Sequence, residues 1–212
     1  MKSIAISKPL YYHQPRNGVG PVYYAAKRFT DIVLSLLGLL IGGPLLLVFG
    51  LLIRWESRGP IFYKQVRCGK GGKPFVIYKL RSMNLNAERR GIQWAKKDDS
   101  RMTRVGKFIR KTKIDEIPQF FNILTGEMSI IGPRPERPSF VVEFQKGIPN
   151  FTQRLQVKPG LTGWAQVNGG YELKPDEKLQ YDLYYIHNQS FRLEWEILIK
   201  TVRFLTDGKG SW

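Results

Sequence analysis

The longest pattern in the chain is an uninterrupted apolar run. From Ile32 to Ile53 it reads IVLSLLGLLIGGPLLLVFGLLI, 22 residues without a charged side chain. At ~1.5 Å per residue, a helix of this length reaches about 33 Å, enough for a hydrocarbon core of ~30 Å. Buried helices of soluble proteins rarely lack charge for so long. Two details argue against a simple span. Gly42-Gly43-Pro44 falls near the centre, where the proline removes a backbone donor and predicts a break. Basic residues flank both ends, Lys27 and Arg28 before and Arg54 and Arg58 after, and Lys and Arg prefer one side of a membrane. A re-entrant helix–break–helix over 27–56, broken at Gly43-Pro44, satisfies both. The freed backbone groups would then need partners such as Ser35. The run starts late and no small-x-small site follows it, so it does not read as a signal peptide. Residues 1–26, with Pro9, Pro15, Pro21 and tyrosine pairs at 11–12 and 23–24, read as a loosely ordered arm.

Periods shorten after the apolar run. Pro60–Arg67 (PIFYKQVR) and Pro74–Arg81 (PFVIYKLR) are aromatic and β-branched, and a Gly-rich connection joins them, so they predict two strands and a turn. The connecting GKGG lacks the strand–GxxxxGK[ST]–helix context of a phosphate-binding loop. Residues 103–112 place Val105, Phe108 and Ile109 on one helical face, and 116–124 predict another helix. Prolines 133, 135 and 138 make 129–138 an ordered turn rather than helix or central strand. Residues 157–170 read as a Gly-punctuated loop. At 191–206, Phe191, Trp195, Leu198, Val202 and Leu205 recur at helical spacing, which predicts an amphipathic helix that packs on the core or lies at a membrane interface.

Charge changes the picture in one region. The net charge is +17, with 34 Lys and Arg against 17 Asp and Glu. Residues 54–115 hold 18 of the basic residues and 5 of the acidic ones. A field of this kind suits anionic lipid, nucleic acid or a phosphorylated substrate. The single cysteine, Cys68, excludes an internal disulfide, and two histidines leave little for a His-rich metal site or a Ser–His–Asp triad. Acid–base or nucleophilic chemistry therefore falls to carboxylates.

One carboxylate pair stands out. Asp115 and Glu116 lie in KTKIDEIPQ. Pro118 is tolerated only in a helix's first turn, which puts Asp115 near the N-cap and Glu116 inside the first turn. Capping alone would explain an Asp there. Yet Arg110, Lys111 and Lys113 precede the pair, and Arg134 and Arg137 follow on the proline-stiffened segment. Cations lower a carboxylate's pKa, and an ionised Asp can be a nucleophile or a Mg²⁺ ligand. Glu116 would assist as acid/base or as a second metal contact.

Several motifs occur in order: KRFTDIVLS before the apolar run, GPIFYKQVRCGKGGKPFVIYKLRSM, RKTKIDEIPQFFNILTGEMSIIGPRPE, KPGLTGWAQVNG and YDLYYI. Together they resemble the bacterial sugar transferase family, the monotopic polyprenyl-phosphate phosphoglycosyl transferases, over about residues 27–206. The resemblance implies transfer of a sugar-1-phosphate from a nucleoside-diphosphate sugar, typically a UDP-sugar, to polyprenyl (undecaprenyl) phosphate. It implies a covalent phosphosugar on Asp115 of the Asp115-Glu116 dyad, with Mg²⁺ on Asp115. It implies substrate contacts for Arg110, Arg134, Lys79, Arg81 and Asp182, and a catalytic domain on the cytoplasmic face of a bacterial inner membrane. The implied partners are nucleotide sugar, polyprenyl phosphate and membrane lipids, not nucleic acid, and a homodimer is compatible with it. Two departures stand out: Gly170 replaces a frequent arginine, and Gly43 replaces a frequent serine before the central proline.

The expected architecture is α/β of an α+β-like kind, mostly helical around a small sheet. It sits on an N-terminal re-entrant membrane hairpin and ends in an amphipathic helix. The expected divisions are an arm over 1–26, a membrane segment over 27–56 and a catalytic domain over 57–212. A membrane-attached basic module for lipid or nucleic acid, built on 54–115, is the alternative reading.

Overall fold

The computed structural model describes residues 19–89, 91, 99–169 and 173–206. Most of the expected arm, and Gly170, lie outside these residues. The elements are α1 (Pro21–Glu56), β1 (Phe62–Cys68), β2 (Pro74–Leu80), α2 (Arg104–Lys111), α3 (Gln119–Leu124), β3 (Ser129–Ile131), α4 (Pro138–Gly147), β4 (Gly160–Thr162), α5 (Trp164–Asn168), α6 (Pro175–His187) and α7 (Phe191–Thr206). The protein is mostly helical, with two small two-stranded sheets. β1 and β2 pair antiparallel, Phe62 opposite Leu80, and β3 and β4 pair parallel, Ser129 opposite Gly160.

The predicted hairpin strands and the helices at 104–111 and 191–206 are present. Three expectations change. The segment after Met128 begins as a strand before its first proline, and the loop at 157–170 contains both β4 and α5. The apolar spacing of α7 also marks mainly its outward face, with only Leu198 of the five packed against the core. Leu193 and Ile197 enter the core, while Phe191, Trp195, Val202 and Leu205 are exposed.

The largest correction concerns α1. It is one 36-residue helix that begins at Pro21, inside the expected arm, and continues through Gly42, Gly43 and Pro44 without a break. Pro44 costs the hydrogen bond to the carbonyl four residues earlier, yet the turn stays helical. Gly42 serves packing instead. A Cβ there would lie 2.7 Å from Ile117, and one at Gly38 would lie 2.5 Å from the Phe120 ring. These glycines, four apart on one face, let α3 and the turn before it approach the helix backbone. Ser35 is buried on the same side but its hydroxyl has no partner among the described residues, so it does not serve a break there.

The burial pattern of α1 inverts that of a soluble helix. Its buried residues are mainly small or polar: Asp31, Ser35, Gly42 and Gly50, with Tyr23 and Ile53 towards the ends. Its large apolar side chains point outward, Leu40 75% and Leu47 74% exposed. The helix is long and apolar enough to cross a membrane by length and composition. Both ends nevertheless touch the same domain. Near the start, Tyr23 and Lys27 donate to Glu194 of α7 at 2.7 and 2.6 Å. At the end, Glu56 accepts the Arg104 and Val105 amides at 2.6 and 3.0 Å, an anion at the free N–H groups that open α2.

The core lies between these contacts. Ile77 of β2, Ile123 of α3, Ile130 and Ile131 of β3, Tyr185 and Ile186 of α6, and Ile197 of α7 pack together. Asn122, fully buried, donates to Val76 O at 2.7 Å and accepts the Tyr78 amide at 3.2 Å, which pins α3 to β2. Asp31 performs the same task for β3. One of its oxygens accepts the Ser129 hydroxyl at 3.0 Å and the Ile130 amide at 2.8 Å. Asp31→Ala would leave that amide and hydroxyl buried and unmet, a cost of about 1–3 kcal/mol. Asp31→Asn keeps an acceptor oxygen and should cost less. Thermal unfolding in detergent should rank the proteins wild type, Asn, Ala in falling Tm.

Candidate active site

Asp115 and Glu116 do not open a helix in the expected way. They sit in a separate 3₁₀ turn, Ile114–Glu116, and Pro118 occupies the position capping α3. Lys113 before the turn adopts φ 59°, ψ 13°, the left-handed region that a lysine rarely takes. The chain thus reverses between α2 and α3 and drives both carboxylates inward, leaving Asp115 5% and Glu116 8% exposed.

Two of the expected cations meet there. Lys79 Nζ and Arg134 Nη2 each donate to the same oxygen, Glu116 Oε1, at 2.6 Å. Burial alone would raise the Glu116 pKa, but Arg134, Lys79 and Lys113 outweigh it and hold the group well below the ordinary carboxylate range. Asp115 goes the other way. Burial and the neighbouring Glu116 charge push its pKa up, against the opposing pull of Lys79, Arg110 and Lys113. This reverses the expectation that the surrounding cations depress it: desolvation outweighs their pull. Arg110, in the last turn of α2, acts on Asp115 through its charge.

Arg134 lies on a loop that prolines deprive of backbone donors, so the loop is held by its carbonyls. Arg154 donates to Arg134 O at 3.0 Å, Arg67 to Pro135 O at 3.0 Å, and the Cys68 amide to Glu136 O at 2.9 Å. On the other side Gly160 N donates to Pro133 O and Gly132 N to Thr162 O, both at 2.9 Å. The approach is close enough that a Cβ on Gly160 would lie 2.1 Å from Gly132 N. This packing explains the Gly-punctuated 157–163 segment.

Two expected substrate residues lie elsewhere. Arg81 is buried and donates to Ser57 O at 2.7 Å and Arg58 O at 2.9 Å, closing the end of α1. Asp182 is 2% exposed and accepts Arg154 Nε at 2.8 Å. It acts on the site only through Arg154, which in turn fixes Arg134. Arg67, Glu136 and Arg154 were missed as candidates. Glu136 sits within 3.8 Å of both Arg67 and Arg154 and 3.3 Å from Lys178. Arg154 stands in FTQRLQ, among Thr152, Gln153 and Gln156, where no local pattern marks it.

Beside the dyad lies a cavity of about 510 Å³. Glu116, Lys113 and Arg134 border it, and apolar side chains of α1, α5 and α7 form much of the remaining wall.

Among the described residues no group of three or more His, Cys, Asp or Glu side chains forms a metal cage. Mg²⁺ usually takes one or two carboxylates and completes its shell with water and substrate phosphates. Asp115, buried and without a hydrogen-bond donor from the described residues, fits that role. Glu116 Oε1 is already shared by two cations.

The geometry therefore defines a small α+β domain with a buried carboxylate pair facing cations, seated on a long apolar helix. The chain belongs to the bacterial sugar transferase family, whose sequence model matches residues 22–208. It is 47% identical over 194 residues to the UDP-N-acetylgalactosamine-undecaprenyl-phosphate N-acetylgalactosaminephosphotransferase of Aeromonas hydrophila, covering 90% of this chain and 46% of that protein. It is 40% identical over 196 residues to the UDP-glucose:undecaprenyl-phosphate glucose-1-phosphate transferase of Klebsiella pneumoniae, covering 90% and 42%. The chain thus spans less than half the length of these two relatives. Against the sugar transferase EpsL of Bacillus subtilis it is 37% identical over 184 residues, covering 87% of this chain and 89% of that protein.

The opposed shifts of the dyad can be tested without substrate. In a ¹³C-carboxyl NMR titration, with Asp115→Asn assigning the resonance, Asp115 should titrate above the ordinary Asp value of ~3.9. Lys79 pulls Asp115 down, so Lys79→Ala should move that midpoint further up. An unmoved midpoint would contradict the coupling.

Proposed function

We propose that the protein transfers a sugar-1-phosphate from a nucleoside-diphosphate sugar, with UDP-sugars as the donor class, to polyprenyl phosphate at a membrane. The observation that carries this reading is the pairing of Glu116 with Lys79 and Arg134 directly beside Asp115, whose carboxylate has no ion pair among the described residues. Such a site neutralises phosphate charge while leaving one oxygen nucleophile available.

The reaction divides into two displacements at one phosphorus. An Asp115 oxygen attacks the phosphorus that bears the sugar. The bond from that phosphorus to the bridging oxygen breaks, and the nucleoside monophosphate leaves with that oxygen and its electron pair. An oxygen of the lipid phosphate then attacks the same phosphorus and releases the Asp115 carboxylate, leaving a lipid diphosphate sugar. Arg134, Lys79 and Lys113 offset the charge that builds on the phosphoryl oxygens. Glu116 holds Lys79 and Arg134 in place and, being strongly ionised, keeps both cations directed at the site. Mg²⁺, held by Asp115 and substrate phosphates, would supply further charge neutralisation.

Membrane placement follows from α1. Its outward apolar face suits lipid, and both of its ends bind the same domain, so helix and domain would meet the membrane as one unit. The exposed apolar residues of α7 suit the interface. Lys27, Arg28, Arg54 and Arg58 at the two ends favour the cytoplasmic side, where nucleotide sugars are available. The names of the relatives from Aeromonas hydrophila and Klebsiella pneumoniae support both the donor class and the acceptor, and the product would open polysaccharide or glycoconjugate assembly.

Turnover of a panel of UDP-sugars with undecaprenyl phosphate should release UMP, whereas UDP would mean transfer of the sugar alone. Asp115→Asn should abolish turnover and the ³²P-labelled sugar-phosphate adduct. Glu116→Gln should keep some adduct with turnover lowered by roughly 10²-fold or more, the scale of losing a charge-organising group. Full turnover by Asp115→Asn would sink the nucleophile assignment.

A further inference from the structure

We infer that the cavity beside the dyad is a slot for the first part of the acceptor lipid's hydrocarbon chain, and not for the sugar. The inference rests on the transferase reading above and assigns its second substrate a place. The cavity measures about 510 Å³, within the ~300–1,000 Å³ of ligand-sized sites.

Its polarity is one-sided. Lys113, Glu116, Arg134 and Lys178 stand where a phosphate would meet the dyad. Away from them the wall includes Leu34, Leu45, Ala165, Leu198 and Leu205. A sugar would bring hydroxyl groups into that wall, and each one buried without a partner would cost free energy. Little there could receive them. The Thr162 and Thr201 hydroxyls already bond each other at 2.8 Å, and Gln166 Oε1 is the one buried wall atom left unpaired among the described residues. An anionic head on an apolar chain matches both ends of the cavity.

The walls also supply a way out. Leu45 belongs to α1, next to Leu47 and Val48 on its exposed face, and Leu205 belongs to α7, near the exposed Val202. A chain leaving the slot between these helices meets apolar surface that already faces outward. It can continue into lipid without passing through water. The enclosed volume holds only the part of a long chain nearest the phosphate. Selection by chain structure should therefore end where the slot ends, and further length should add nothing to recognition.

The test separates the two half-reactions on the full-length protein in detergent. The protein is charged with labelled UDP-sugar and freed of donor, then offered a short soluble prenyl phosphate or a long one. Wild type should discharge to both at similar rates. Ala165→Phe, which fills the slot, and Leu205→Asp, which charges its mouth, should still form the adduct but discharge at least about tenfold more slowly, the loss expected from excluding a few buried methylenes. Ala165→Phe slowing adduct formation while sparing discharge would make the cavity a sugar site and overturn the inference.

A diazirine-bearing prenyl phosphate gives an independent readout on wild-type protein and does not need turnover. It should label peptides containing Ala165 and Leu198, and unlabelled prenyl phosphate should compete while phosphatidic acid does not. Labelling confined to the outer face of α1, or equal competition by phosphatidic acid, would overturn the slot. If no adduct and no UMP appear with any donor, the transferase reading fails, and the labelling pattern still decides whether the cavity takes a prenyl chain.

Discussion

The Glu116 carboxylate is where three separate stretches of chain become one site. Lys79 arrives from β2, Arg134 from the loop after β3, and Glu116 itself from the turn between α2 and α3. Two cations on one oxygen, in a place nearly closed to water, form a strong but demanding contact. Each group has lost hydration, and removing one would leave the others underpaired. The surrounding structure holds each partner from behind. Asn122 fixes α3 to β2, so the turn cannot drift from Lys79. Arg154, itself neutralised by Asp182, grips the backbone of Arg134. Asp115, the proposed nucleophile, stands next to this contact without taking part in it among the described residues.

The same logic explains the extent of buried charge in so small a domain. Arg67, Glu136, Arg154, Lys178 and Asp182 form a chain of opposite charges beneath the proline loop. Replacing such buried pairs by well-packed apolar groups is often neutral or stabilising. Here prolines remove the loop's own donors, so carbonyl-directed arginines and a strand amide take over the work of a ladder. The charges specify a loop shape that backbone pairing alone cannot supply.

Much of this was legible in the residues, and the failures have physical causes. The hairpin strands, the terminal helix and the dyad followed from period and from charge neighbours. Local spacing could not show which face of α7 is buried, because its outward residues are as apolar as its inward ones. Gly42 looked like a helix breaker because sequence shows its conformational freedom but not the Ile117 side chain that needs the space. Arg81 and Asp182 looked like ligand contacts because their charges were visible and their partners were not: carbonyls at the end of α1 in one case, an arginine 28 residues away in the other. Arg154 had no local pattern at all. Its role depends on a fold-level meeting with Asp182 and Arg134.

Asp31 has a consequence for the order in which the molecule can assemble. Its partners, Ser129 and Ile130, come 98 and 99 residues later in the chain. During synthesis the apolar helix emerges before β3, carrying a carboxylate whose only near partner is the Lys27 charge one turn earlier, among the described residues of the helix. In lipid such a group is costly, so the young helix gains by keeping that turn near water. Only when β3 has been made and folded does the charge acquire its hydroxyl and amide, and only then can the helix take its final seat. A long apolar helix with its own polar latch thus settles after the domain it carries, and an incomplete chain would remain recognisable by a helix that has not gone home.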